Sequence, residues 1–261
     1  MDRLGKDDRS QQEEQPRFSK SSSLILPLFA VACSVIAVLV LLASGFGTRF
    51  DLWQFRTGIS IFKFAAYCGV GCAVLSILTG VLAIRKRRYA GVLLAVVALA
   101  GAILAFGVPY SWKLKAEQYP RIHDISTDVD NPPRFVAILP LRPGPAEYPG
   151  VAVAAQQLKA YPDLRTLVLP VAKDQAFQSA LDTATSMGWK IVAAVPAEGR
   201  IEATDTTAWF GFKDDIVIRV VAAGPRSLVD VRSVSRVGIS DLGTNAKRIR
   251  TFLAKLSHQG A

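Results

Sequence analysis

Residues 215–234 read DIVIRVVAAGPRSLVDVRSV. Ile216, Ile218 and Val220 alternate with Asp215 and Arg219, and Val229 and Val231 alternate with Asp230 and Arg232. A period of two sends successive side chains to opposite faces, so each half reads as a strand with one apolar and one charged face. Ala223-Gly224-Pro225-Arg226 between them is a turn signal. The spacing predicts an antiparallel hairpin in which Arg219 stands directly opposite Asp230, a cross-strand pair that contributes ~0.2–1 kcal/mol. Arg236 continues the charged row, and Glu202, Thr204 and Thr206 form a polar row in the segment before it.

Outward from this hairpin the pattern stays regular. Arg165–Leu169 reads as a short strand. Lys173–Met187 has helical spacing, with Phe177, Ala180, Leu181 and Ala184 on one side and a stop at Gly188. Trp189–Pro196 and Arg200–Trp209 read as strands joined at Glu198-Gly199, and Ser240-Asp241 precedes a terminal helix over Leu242–Leu256. Residues 151–261 are therefore expected to form a soluble α+β domain, an antiparallel sheet with helices packed on one face. Residues 113–150 are rich in proline, from Asn131-Pro132-Pro133 through Pro140, Pro143, Pro145 and Pro149, and read as an extended connector docked on that domain.

The N-terminal part is different in kind. After a polar tail over 1–23, residues 24–112 hold three apolar runs, at about 24–46, 59–84 and 89–110, each long enough to span a bilayer as a helix. The second carries a small-residue stripe, Ala65, Gly69, Ala73, Ser76 and Gly80, at spacings that let another helix approach closely. Cys68 and Cys72 share that helix; they read as small packing residues, with a redox or metal pair as the sharper alternative. Tyr110 and Trp112 mark an interface belt. No span has a central charge, which argues against an ion or proton path within one copy.

Loop charges give the orientation. Arg85-Lys86-Arg87-Arg88 joins spans two and three, and Arg3, Lys6, Arg9, Arg17 and Lys20 lie in the tail, whereas only Arg49 and Arg56 flank the first loop. The positive-inside rule then predicts a multi-pass inner (plasma) membrane protein with a cytoplasmic N-terminus and a periplasmic, or otherwise extracytoplasmic, C-terminal domain. The net charge of +10 divides as 12 Lys/Arg against 6 Asp/Glu over residues 1–112, and 19 against 15 beyond. The excess is a topology signal, not a nucleic-acid footprint, and no nucleic-acid partner is expected.

Two readings fit the charged face formed by Asp215, Arg219, Asp230, Arg232 and Arg236. It is either an ion-pair ladder under the connector, or an anion site in which Arg219, Arg232 and Arg236, held in place by Asp215 and Asp230, grip a phosphate or carboxylate. Asp241, Asn245 and Arg248 join that cluster if the last helix starts beside it. In the connector, His123, Asp124, Asp128 and Asp130 offer donors for a cation, but Asp and Asn before proline are commonly turn formers. No metal-site spacing, phosphate-binding glycine loop or nucleophile elbow occurs, so no catalytic residue, metal or cofactor is expected. The functional expectation is an interaction domain whose partners are membrane lipid, another envelope membrane protein or an anionic ligand. A hydrolase using Asp215 or Asp241 with arginine clamps is the alternative, and a structural subunit of a membrane complex is a third reading.

The motif Ile122-His123-Asp124-Ile125-Ser126-Thr127-Asp128, with Asn131-Pro132-Pro133-Arg134-Phe135 after it, resembles the opening of the family called domain of unknown function 1499. So do Gly188-Trp189, Arg200–Thr204, Gly211–Arg219 and, at greatest length, Val229–Gly238 followed by Ser240–Gly243 and Asn245–Ile249. The resemblance spans about residues 119–256 and implies no activity.

Overall fold

The computed structural model describes residues 24–144 and 146–259. Three long helices come first: α1 (Ile25–Arg49), α2 (Phe55–Arg85) and α3 (Tyr89–Gln118). Each is long and apolar enough to cross a membrane. They then give way to a six-stranded antiparallel sheet with helices α4 (Val151–Ala160), α5 (Lys173–Ser186) and α6 (Thr244–Gln259).

The chain divides into two compact units. The first comprises the chain up to Val40 together with Ala65–Phe106. Its helices meet through small side chains. Ser34 Oγ donates to the Ala98 carbonyl at 2.7 Å, and a Cβ added at Gly69 would lie 2.7 Å from the Phe106 nitrogen. The glycine therefore sets how closely α2 approaches α3, as its small-residue stripe predicts. Cys33, Cys68 and Cys72 sit in the same seam with Ala37, Ala102 and Ala105.

The second unit comprises Leu41–Phe64 and Gly107 onward. Its strands are β1 (Asp124–Ser126), β2 (Leu167–Leu169), β3 (Lys190–Val195), β4 (Arg200–Thr206), β5 (Lys213–Ala223) and β6 (Arg226–Ser235). The sheet order is β1-β6-β5-β4-β3, and β2 shares the β6 edge with β1. Arg219 pairs with Asp230 and Ala223 with Arg226, the expected register. The hairpin closes through Gly224 at φ +64 and Pro225, the residue order that a tight type II′ turn favours.

One sheet face carries Ile201, Ala203, Ile216, Ile218, Val220, Val229 and Val231. Against it pack Ala176, Phe177 and Ala180 of α5 and Ala246, Ile249, Phe252 and Leu256 of α6. This is the main core, and the helices lie on one face as the strand alternation requires. The opposite face is covered by the connector: Phe135, Ile138 and Ala146 pack on Val217 and Val234.

Several boundaries differ from the sequence reading. The connector is partly regular: it contains β1, a 3₁₀ turn at Leu139–Leu141, and leads into α4. Strand β4 stops at Thr206, because residues 207–212 fold into a tight loop in which Thr207 N donates to the Phe212 carbonyl. Strands β3 and β4 are joined by four residues, Pro196 to Gly199, since Val195 already pairs with Arg200. Helix α6 begins at Thr244, because Leu242 and Gly243 hold left-handed backbone at φ 53 and 78.

Candidate functional site

The charged face is closed by arginines from two directions. Asp215, fully buried, accepts four hydrogen bonds. Arg236 donates to both its oxygens (2.8 and 2.9 Å), Arg142 Nη1 to Oδ2 (2.7 Å) and Thr204 Oγ to Oδ1 (2.8 Å). Arg142 comes from the connector and was not among the expected cluster residues; a lone arginine between prolines gives no periodic signal. Asp230 holds Arg219 Nη2 at 2.8 Å and accepts from Thr127 and Thr166 at 2.9 and 2.6 Å. Arg219 also binds Asp128 and the Asn131 carbonyl.

Arg232 is the most enclosed of the set. Its Nε and Nη2 donate to both Asp124 oxygens at 2.9 and 2.7 Å, and the Ala146 carbonyl takes a further bond at 2.7 Å. The guanidinium lies over the rings of Phe135 and Tyr148, 5.2 and 5.4 Å from their centroids. Burial, with the Asp124 carboxylate beside it, pushes the Tyr148 hydroxyl up to about 12, so it stays protonated at neutral pH. Glu202, also fully buried, accepts the backbone N–H groups of Val136, Ala137 and Ile138 at 2.9–3.0 Å and pairs with Arg200. Three amides converging on one carboxylate fix the path of the connector, because an unmade bond at any of them leaves a buried donor unsatisfied.

Asp241, Asn245 and Arg248 do not join this cluster. They lie on the helix-facing side of the sheet, because α6 packs on the apolar face. There Arg248 pairs with Asp214 at 2.6 Å and Asp205 at 2.9 Å and contacts Ser233 and Asn245. Asn245 ties the β6 end to the His123 carbonyl through Nδ2 at 3.0 Å. Asp241 accepts the N–H of Gly243 and Asn245 at the α6 entry. Burial raises its carboxyl above the ordinary value, against those amide bonds. The alternation of Asp214 and Asp215 between faces thus yields two separate charge clusters, one on each side of the sheet.

The connector residues have partners of the same kind. His123 Nδ1 lies 3.2 Å from the Ser235 carbonyl. Asp124 is taken by Arg232, and Asp128 by Arg219 and by the N–H groups of Asp130 and Asn131. Among the described residues no three His, Cys, Asp or Glu side chains gather as a metal cage.

A further constellation was not expected from sequence. The loop over residues 207–212 grips the last turns of α1, the first part of α2 and the later part of α3. Arg49 Nη1 donates to the Thr207 and Ala208 carbonyls at 2.9 and 2.6 Å. Trp209 Nε1 donates to the Leu42 carbonyl at 3.1 Å. A Cβ at Gly45 would fall 2.3 Å from the Trp209 ring, so only glycine admits the indole against α1. Phe62 and Trp112 complete an aromatic cluster with Trp209 and Phe210, with centroids 5.0–5.9 Å apart. The signal was present as Trp209-Phe210-Gly211-Phe212, an aromatic run between two strands.

A family model described as a protein of unknown function, DUF1499, matches residues 124–256. The chain belongs to the DUF1499 family. The match starts at Asp124, the partner of Arg232, and takes in the connector with the sheet, so the family unit includes the strap that closes the charged face. No curated protein matches the chain. The three long helices precede the DUF1499 region and lie outside it.

Proposed function

We propose that this DUF1499 protein is a membrane-anchored extracytoplasmic interaction domain, whose 207–212 loop is locked to the Leu42–Phe62 segment of its own compact unit and which engages an envelope membrane protein. The observation that carries the reading is the grip of residues 207–212 on Leu42, Gly45, Arg49, Phe62 and Trp112. Two arginine bonds, an indole bond and an aromatic cluster join the loop to the Leu42–Phe62 segment, and each such ring pair adds ~0.5–1.5 kcal/mol beyond burial.

The enclosure of Asp215 counts against the hydrolase reading. A general base must reach substrate, and this carboxylate is fully buried, with both oxygens accepting from Arg142, Arg236 and Thr204. Recognition then falls to the exterior. Val136, Leu139 and Leu141, each about half exposed, form an aliphatic ridge on the connector. The basic loop at Arg85–Arg88 supports the inside-to-outside orientation on which the extracytoplasmic placement depends.

The test is site-specific photo-crosslinking in intact cells. A photoreactive residue replacing Leu139 or Leu141 is expected to give one discrete protein adduct. The same group at the exposed Lys190 should give none, and Trp209→Ala should diminish the adduct while leaving the domain folded. Equal adducts at all three positions, or adducts indifferent to Trp209→Ala, would overturn the reading; a lipid-only adduct would replace the protein partner with the bilayer itself.

A further inference from the structure

Within the first compact unit, the start of α1, the end of α2 and the start of α3 enclose a cleft of about 210 Å³. It is bordered by Leu26 and Pro27 of α1, Leu82, Ala83 and Lys86 at the end of α2, and Arg88 and Gly91 at the start of α3. Its shape follows from small residues: a Cβ at Gly91 would lie 3.0 Å from Ala83 Cβ and 3.6 Å from Pro27 Cγ. The α2–α3 turn sets which cations face it. Arg88 N donates to the Ala83 carbonyl and Arg87 N to the Ile84 carbonyl, with Arg87 left-handed at φ 50, the bond pattern of a Schellman stop. Lys86 and Arg88 line the cleft, whereas Arg85 and Arg87 lie outside its lining.

The lining combines two cations with the exposed aliphatic side chains of Leu26 and Leu82. The only acidic residue over positions 24–112 is Asp51, at the opposite ends of α1 and α2, so the sequence supplies these cations no carboxylate from the spans or the basic turn. A phosphate oxygen takes charge-assisted bonds from both Lys and Arg, and basic pockets between helices at the membrane face bind anionic headgroups. The geometry points to an anionic phospholipid site: Lys86 and Arg88 hold the headgroup phosphate, and an acyl chain descends along Leu26 and Leu82.

The experiment uses the full chain reconstituted in phosphatidylcholine vesicles doped with about one tenth phosphatidylglycerol, an anionic fraction that leaves sites in competition. After gentle detergent extraction, native mass spectrometry counts retained lipid. Wild type is expected to keep one phosphatidylglycerol. Lys86→Gln with Arg88→Gln should weaken retention roughly 30-fold, the effect of two headgroup cations. Arg85→Gln with Arg87→Gln, matched in charge, should keep it. Gly91→Leu, which fills the cleft without touching charge, should lose it, with size-exclusion elution reporting that each variant remains folded. Equal loss in both charge pairs would reduce the effect to diffuse surface potential and overturn the site. So would displacement by millimolar inorganic phosphate, which would make free phosphate the ligand. Retention that appears only after removal of residues 1–20 would make the chain's own tail the occupant and overturn it equally.

Discussion

Replacing Arg232 by methionine keeps the length of the side chain and removes its charge. In the folded protein Asp124 would then be a carboxylate with almost no exposure and no counter-charge, because its two bonds to Arg232 (2.9 and 2.7 Å) are lost together. Breaking one partner of a buried pair costs about 3–5 kcal/mol. The orphaned Ala146 carbonyl and the lost contacts with the Phe135 and Tyr148 rings act in the same direction. The folding constant of the domain should fall by roughly two to three and a half powers of ten. The full-length protein in detergent, unfolded in urea and read by pulse proteolysis of its C-terminal domain, gives the midpoint. Adding Asp124→Leu to the same chain should recover part of the loss, with a coupling on the order of 2–3 kcal/mol. An Arg232→Met protein that unfolds at the wild-type midpoint would refute the reasoning. Arg232 would then be a group kept for a ligand and not for the fold.

Other outcomes follow from the same contacts. Glu202→Gln should loosen the connector, with new protease cleavage between Val136 and Leu141 and a loss of about 1–3 kcal/mol from amides left without a charged acceptor. Gly45→Leu should expel Trp209 from α1, seen as a red shift of tryptophan emission while the sheet stays folded; an unshifted spectrum counts against the grip. Asp241 has its folded pKa raised above 3.8 by burial, so its contribution to stability is fully present below that value and fades as pH rises through the folded pKa. Asp241→Asn should flatten this limb of a plot of unfolding midpoint against pH; an unchanged slope argues against it. A cysteine at Ser257 should react with a membrane-impermeant maleimide on intact cells while one at Arg87 stays protected, and the reverse pattern would invert the topology.

The hairpin at 215–234 was legible because strand alternation and turn spacing are local, and they placed Arg219 opposite Asp230 without ambiguity. The same alternation put Asp214 and Asp215 on different faces. What could not be read was where α6 would start against the sheet. Asn245 and Arg248 were therefore grouped with Asp215, although the apolar stripe of Ala246, Ile249 and Phe252 carries them to the other side. Arg142 and the three amides held by Glu202 escaped for a related reason. They depend on where an irregular, proline-rich segment docks, and no periodicity encodes that. Gly45 and Trp209 are 164 positions apart, and a glycine in an apolar helix does not announce which ring will lie against it.

The closure of the charged face has a consequence for biosynthesis. Asp124 leaves the ribosome 108 residues ahead of Arg232, and Glu202 follows the amides it will hold by more than sixty. Until β6 has been made, Asp124 has no guanidinium to receive its carboxylate, and water must hydrate it. Loops of that length close slowly and late. A chain stalled or truncated before Arg232 would thus present an open, hydrated strap to quality-control proteases, and completion of β6 is the step that converts it into a sealed domain.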